Sequence, residues 1–186
     1  MLRPSEIEDE YERLLKADDQ PIIEGSSVQC RLKWQKAAHD LSLAEGLLKI
    51  STDIKMKVAL GYLEDTTFFD WAIISSYYSI FHATQALLGM KGVRIDGRMH
   101  HATMVSFAKH FIINDELAAE LFLIYEDSEQ KAKDLLEIFE EEKGKRGDFQ
   151  YYRVSKGNLG PATESIKNAN IFLEAVRDVL KKNNII

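Results

Sequence analysis

The sequence predicts an all-α protein: an up-and-down four-helix bundle carrying an extra N-terminal helix and one short additional helix. Three observations predict it. The 186 residues include only three prolines and ten glycines, and these cluster, leaving long stretches free of helix breakers. Within those stretches apolar residues recur at i, i+3, i+4 and i+7. The connections between them are short, which sets successive long helices antiparallel.

Composition fits this reading. A chain that is 45% hydrophobic with a net charge of -6 is too apolar for disorder, and its length suits one core. Cys30 is alone, so no internal disulfide forms; it reads as an inert thiol in a reducing compartment. The start, MLRPSEIEDEYERLL, is acidic and lacks the apolar run of a signal peptide, which points to the cytoplasm.

Taken in order, residues 5 to 17 place Ile7, Tyr11, Leu14 and Leu15 on one face, after Ser5 as cap with Glu8 completing a capping box. DDQPIIEGSS ends that helix. From Ser27 to about Ile50, Leu32, Trp34, Ala37, Ala38, Leu41, Ala44, Leu47 and Leu48 form the stripe of a long first core helix. The connector STDIKMKVALGYLEDT holds a short helical turn, and Asp65 or Thr66 caps the second core helix. GMKGVRIDG ends that helix on paired glycines. A shorter helix over 98 to 110 turns Met104, Val105, Phe107 and Ala108 inward. Asn114 then caps a long helix from Asp115 to about Lys143, with Leu117, Leu121, Ile124, Leu135, Ile138 and Phe139 inward and a polar middle, EDSEQKAKD. The last helix follows Pro161 and runs to about Lys182 on Ile166, Ala169, Phe172, Leu173, Val176 and Leu180.

The second core helix holds a window without formal charge from Trp71 to Met90. Ala72, Ser75, Ser79, His82, Ala83 and Ala86 fall on one face, and Ile73, Ile80, Phe81, Leu87 and Leu88 lie broadly opposite. Small residues let a neighbouring helix approach while the bulky side fills a core, so this helix is expected to be walled in by protein. A bilayer is not expected, because three serines, a histidine and a glutamine interrupt the window. Ser75, Ser79, Tyr77, Tyr78 and His82 then form a polar patch, either a satisfied core network or the contact with a second copy of the chain.

The string SSYYSIFHATQALLGMKGVR, followed by MHHATMVSFAKHFI, RGDFQYY and AVRDVL, resembles the HEPN superfamily of helical bundles. It is most similar to small prokaryotic members whose second helix reads serine, any residue, tyrosine-tyrosine, phenylalanine-histidine-alanine and alanine-leucine-leucine. Here these are Ser76, Tyr77, Tyr78, Phe81, His82, Ala83, Ala86, Leu87 and Leu88. The resemblance covers about residues 28 to 182, which sets residues 1–25 apart as an N-terminal helical extension and 26–186 as the HEPN-like domain. It implies a nucleotide-associated or RNA-cleaving bundle that dimerises, encoded beside a minimal nucleotidyltransferase as toxin and antitoxin. Ribonuclease members carry an arginine, four to six residues, then a histidine, just before the last helix. This chain reads KRGDFQYYR there: Arg146 is present, but Tyr151 stands five residues on and Gly147 replaces the polar residue. An unperturbed tyrosine, with a pKa near ~10, is a far poorer proton shuttle at neutral pH than histidine. Gly147, Asp148 and Phe149 instead look like the alanine-aspartate-tyrosine of a branch without that spacing.

Two basic segments stand out of an acidic chain. One holds Lys91, Arg94, Arg98, His100 and His101; the other holds Lys143, Lys145, Arg146, Arg153 and Lys156, interleaved with Phe149, Tyr151 and Tyr152. Guanidinium groups bind phosphate and aromatic rings stack bases, so Arg94, Arg98, Lys145, Arg146, Asp148, Phe149, Tyr151, Tyr152 and Arg153 are the candidate nucleotide or RNA surface. With alternating directions the second and fourth helices of the bundle run the same way, so both segments are expected to meet at one end; the alternative is solvated loops whose cations complement helix C-termini. Arg94 with His100 or His101 also satisfies the loose ribonuclease spacing, in a different loop. No histidine follows a glutamate at three residues, so a carboxylate-bridged metal site is not expected, nor is a cofactor. Two functions follow from the resemblance: a catalytically degenerate interaction protein, or a metal-independent ribonuclease toxin in which Arg146 or Arg94 holds the phosphate and a displaced histidine, His100 or His101, moves the proton. A structural adaptor is the third.

Overall fold

The computed structural model describes residues 4–17, 22–23, 30–96, 99–114, 116–144 and 159–186, with the backbone alone for 136–144. Nearly all of it is helical. The uncharged window becomes α4 (Phe69–Met90). From Phe69 to Leu88 every α4 side chain except Trp71 and Tyr78 is buried. A helix apolar on all sides has no face to give to water, so its neighbours must enclose it. Its polar residues are satisfied within protein: Ser76 and Thr84 donate to the carbonyls of Ala72 and Ile80, and Ser79 donates to Ala37 of α2 at 2.8 Å. Among the described residues no helix is long and apolar enough to cross a membrane.

α2 (Cys30–Thr52) packs antiparallel on α4. Ser51 meets the residue before α4, Ala37 meets Ser79, and Lys33 meets Gln85. The small residues Ala37 and Ala44, both fully buried, allow that close seam. α3 (Ile54–Ala59) is the short turn expected in the connector, capped by Asp53, whose carboxylate accepts from the Met56 N–H. After α4 the chain turns on Gly92 at φ 74°, with the Val93 and Gly92 N–H groups donating to Leu88 and Gly89, a paired closure that suits glycine. Then come α5 (Met99–Phe107), a π-helical turn (Ala108–Ile112), α6 (Ala119–Gly144) and α7 (Leu159–Lys182). α7 packs on α4 and α2, with Ala162 and Ile166 beside Phe69 and Ile73 at one end and Arg31 donating to the Ile185 carbonyl at the other. α1 (Pro4–Leu15) lies on α5 and the π turn, and sends Ile7, Tyr11 and Leu14 into the main core.

Several expectations are corrected. α6 runs opposite to α4, not alongside it: Glu116 meets Lys91 at 2.6 Å, where α4 ends, while Leu135 packs with Phe69 and Ile73, where α4 begins. The nine residues of α5 are too short, at about 13 Å, to traverse the molecule, so the chain returns to the end it had left. Lys91, where α4 ends, and the outgoing end of α6 therefore lie at opposite ends. A two-stranded antiparallel ladder, β1 (Ile22–Ile23) with β2 (Arg94–Ile95), was not expected; isolated apolar dipeptides carry no readable period. α1 includes Pro4, so Ser5 lies inside its first turn rather than capping it. Leu32 is 55% exposed, outside the buried stripe. Neither Asp65 nor Thr66 caps α4; the Phe68 N–H is met instead by the Ser51 hydroxyl at 2.7 Å, a cap supplied from α2. Asn114 reaches back to the carbonyls of Lys109 and His110, and α6 starts later, at Ala119.

Candidate functional site

Two histidine pairs meet along α4. His82, whose side chain is only 7% exposed, faces Asp40 of α2 with Nδ1 at 2.7 Å from Oδ2. A carboxylate only accepts, so Nδ1–H donates and Nε2 is left for other work. Burial, and after it the positive charges of Lys36 and Lys33, pull the His82 pKa down, against the upward pull of Asp40. On the other side His100, at the start of α5, takes the Tyr77 hydroxyl on its Nδ1. Tyr77 is pushed far above the ordinary phenol range by burial and then by the nearby Glu129 carboxylate, so it keeps its proton and donates it. His100 is correspondingly held neutral, its pKa lowered chiefly by burial.

The two histidines share neighbours. Tyr78 stacks on His82, with ring centroids 6.1 Å apart, and meets His100 edge-on at 6.3 Å. Phe81 lies 5.3 Å from His82 and 4.9 Å from His100. Below them Glu129 of α6 is buried, with Lys133 one turn on at 2.6 Å. On the α2 side Lys33 Nζ donates to Gln85 Oε1 at 2.7 Å. The arrangement presents a half-buried phenol ring, two oriented imidazoles and flanking ammonium groups, a combination suited to holding an anionic group.

The remaining sequence candidates are dispersed. Arg94 is the exposed residue of β2 and pairs with Asp96 at 2.6 Å, while His101 pairs with Glu10 of α1 at 2.7 Å. Arg94, His100 and His101 therefore each turn to a different partner, and the alternative ribonuclease pair is not assembled by these contacts. Ser75, Ser79, Tyr77 and His82 are buried within the single chain, and Tyr78 is half-buried. Cys30 is half-buried, its thiol pKa raised by burial. Arg98, Lys145, Arg146, Asp148, Phe149, Tyr151, Tyr152, Arg153 and Lys156 lie outside the described residues, and so does the side chain of Lys143.

Sequence reasoning missed Asp40, Glu129, Lys33, Lys36 and Gln85. For two of them a signal existed: Lys33 and Asp40 flank Ala37 at four and three residues, so they share its face toward α4. Glu129 had none, since its polar stretch reads as a solvated face.

No protein-family model matches the chain. A segment of 60 residues is 40% identical to a protein of Methanocaldococcus jannaschii named "Putative toxin", and this covers 32% of the chain and 40% of the relative. The matched segment thus spans less than half of that relative's length.

Proposed function

We propose that this protein is a HEPN-like toxin-class component that associates with a nucleotide or RNA, with its ribonuclease chemistry degenerate. In this reading α2, α4, α6 and α7 form the up-and-down four-helix bundle of residues 26–186, and residues 1–25 are an added extension. It acts in the cytoplasm, as a homodimer, with a nucleotidyltransferase-domain protein as partner. The observation that carries the reading is the 40% identity over 60 residues to a protein named as a toxin, in a chain whose helix α4 bears the HEPN-like string. Arg146 and its aromatic neighbours remain the proposed RNA-binding segment, with Arg94 and Arg98 as a further proposed cationic contact. A second reading, a metal-independent ribonuclease toxin, falls within the same toxin class that the relative's name gives.

Induced expression of the full chain in a bacterial host, followed by gel analysis of total RNA, tests both. Growth arrest with intact RNA is the expected result. Unaffected growth overturns the toxin reading. RNA cleavage that Arg146→Ala or His100→Ala abolishes replaces the degenerate reading with the ribonuclease.

A further inference from the structure

The stretch between α2 and α4 inverts the usual sorting of side chains. Among the described residues twelve large apolar side chains are well exposed, and five of them, Ile54, Val58, Leu60, Tyr62 and Leu63, fall within ten consecutive positions at 43 to 68% exposure. Apolar residues exposed singly are ordinary, but a run of this density marks a contact surface. The lysine in their midst goes the other way: Lys57 is 5% exposed, and its Nζ donates to the Glu64 carbonyl at 2.7 Å. Burying an ammonium group while leaving leucines in water is unfavourable on both counts, so folding alone does not account for the arrangement. The backbone holds it in place. Gly61, at φ 80°, closes α3 with its N–H on the Val58 carbonyl, the Tyr62 N–H donates to Lys57 at 2.9 Å, and the Tyr62 ring meets Phe68 edge-on at 5.1 Å. Lys57 and Tyr62 thus tie the loop down while Val58, Leu60 and Leu63 face outward.

We propose that α3 and the loop after it form a docking platform for an amphipathic helix of another protein, one whose apolar stripe is bordered by lysine or arginine. Charge selects that occupant. Asp53, Glu64 and Asp65 border the platform and are exposed, and among the described residues none of their carboxylates meets a cation; that of Asp53 accepts the Met56 N–H. Lys55 is the one exposed cation of residues 53–65, because Lys57 is turned inward. A second copy docked on the same face would set two acidic borders against each other, and an anionic lipid surface would meet the same repulsion. A helix with cationic flanks meets neither obstacle. Its apolar stripe covers Ile54 and Val58, one turn apart on α3, together with Leu60 and Leu63, while its flanks reach the three carboxylates.

The platform stands apart from the toxin reading and is tested without it. Three labelled helical peptides are titrated into the full chain by fluorescence anisotropy: one with a leucine stripe flanked by lysines, one with the same stripe flanked by glutamates, and one with the lysine peptide's composition but its leucines scattered. The first is expected to bind at least about tenfold more tightly than the other two. Leu60→Ser/Leu63→Ser, which alters exposed positions, should weaken it by about tenfold or more, whereas Leu32→Ser, at an exposed leucine of α2, should not. Glu64→Lys/Asp65→Lys should reverse the preference toward the glutamate peptide; Glu174→Lys/Asp178→Lys makes the same change of net charge on exposed α7 positions and should leave it as it was. Thermal melts of each variant establish that it is folded. No binding of the lysine peptide, equal binding of the three peptides, or unchanged affinity in the folded Leu60→Ser/Leu63→Ser variant overturns the proposal. So does a dimer that this variant alone dissociates in sedimentation, which assigns the face to a second copy, or binding to phosphatidylglycerol vesicles that it alone abolishes, which assigns the face to lipid. Growth arrest does not enter these outcomes, so failure here and failure of the toxin reading are separately visible.

Discussion

His82 and His100 both hold their folded-state pKa below the ordinary imidazole value, and in both burial is the leading cause. The sign of the linkage follows. Unfolding returns each ring to its usual affinity for protons, so the unfolded chain binds more protons in the window between the lowered and the ordinary values. The stability this confers is fully present above the ordinary imidazole pKa and is lost as pH falls through the lowered ones. Melting temperature is therefore expected to fall as pH drops from about 7 toward 5, where unperturbed imidazole becomes charged. His100→Gln, which cannot titrate, should flatten that profile, and a profile of unchanged slope would contradict the buried assignment. Glu10 acts lower on the scale: the Arg13 guanidinium and His101 hold its carboxyl at about 2, so its contribution persists until strongly acid pH.

Among elements, α1 is held by a compact clasp rather than by a broad interface. Tyr11 is fully buried, its hydroxyl 3.1 Å from His110 Nε2, with the Lys109 ammonium 3.7 Å from its ring centre. Glu10 reaches His101 from the same helix. Tyr11→Phe deletes the hydrogen bond to His110 and is expected to cost about 1 kcal/mol in a denaturant melt. Tyr11→Ala also opens a cavity and should cost about 3–5 kcal/mol. Similar losses for the two substitutions would mean that the hydroxyl, not the packed ring, dominates. The clasp was half legible in the sequence. Helical spacing placed Ile7, Tyr11 and Leu14 inward, but Lys109, His110 and His101 are about a hundred residues away, and periodicity along one helix holds no record of its partner.

At the scale of the molecule, the positions of the long helices were readable because each buries a stripe at helical spacing. Their directions were not. That depended on whether the short helix α5 crosses the structure, which its apolar residues do not encode. The candidate site divides similarly: His82, Tyr77 and Tyr78 could be picked out as polar tips in an apolar helix. Asp40 and Glu129 could not, because a charged residue drawn into a seam looks in sequence like any other on a solvated face. Enclosure of α4 on all sides has a further consequence for changes of chain length. Adding one residue between Ser76 and Tyr77 turns everything downstream by about 100° around the axis. An amphipathic surface helix can absorb such a slip by letting its misplaced portion face water; α4, buried from Phe69 to Leu88 except at Trp71 and Tyr78, has no such outlet. An alanine inserted there is expected to abolish cooperative melting, whereas one inserted into the exposed 61–65 connector should leave the melting temperature nearly unchanged. Within this fold, tolerance of inserted or deleted residues is thus set by which helix stands at the centre.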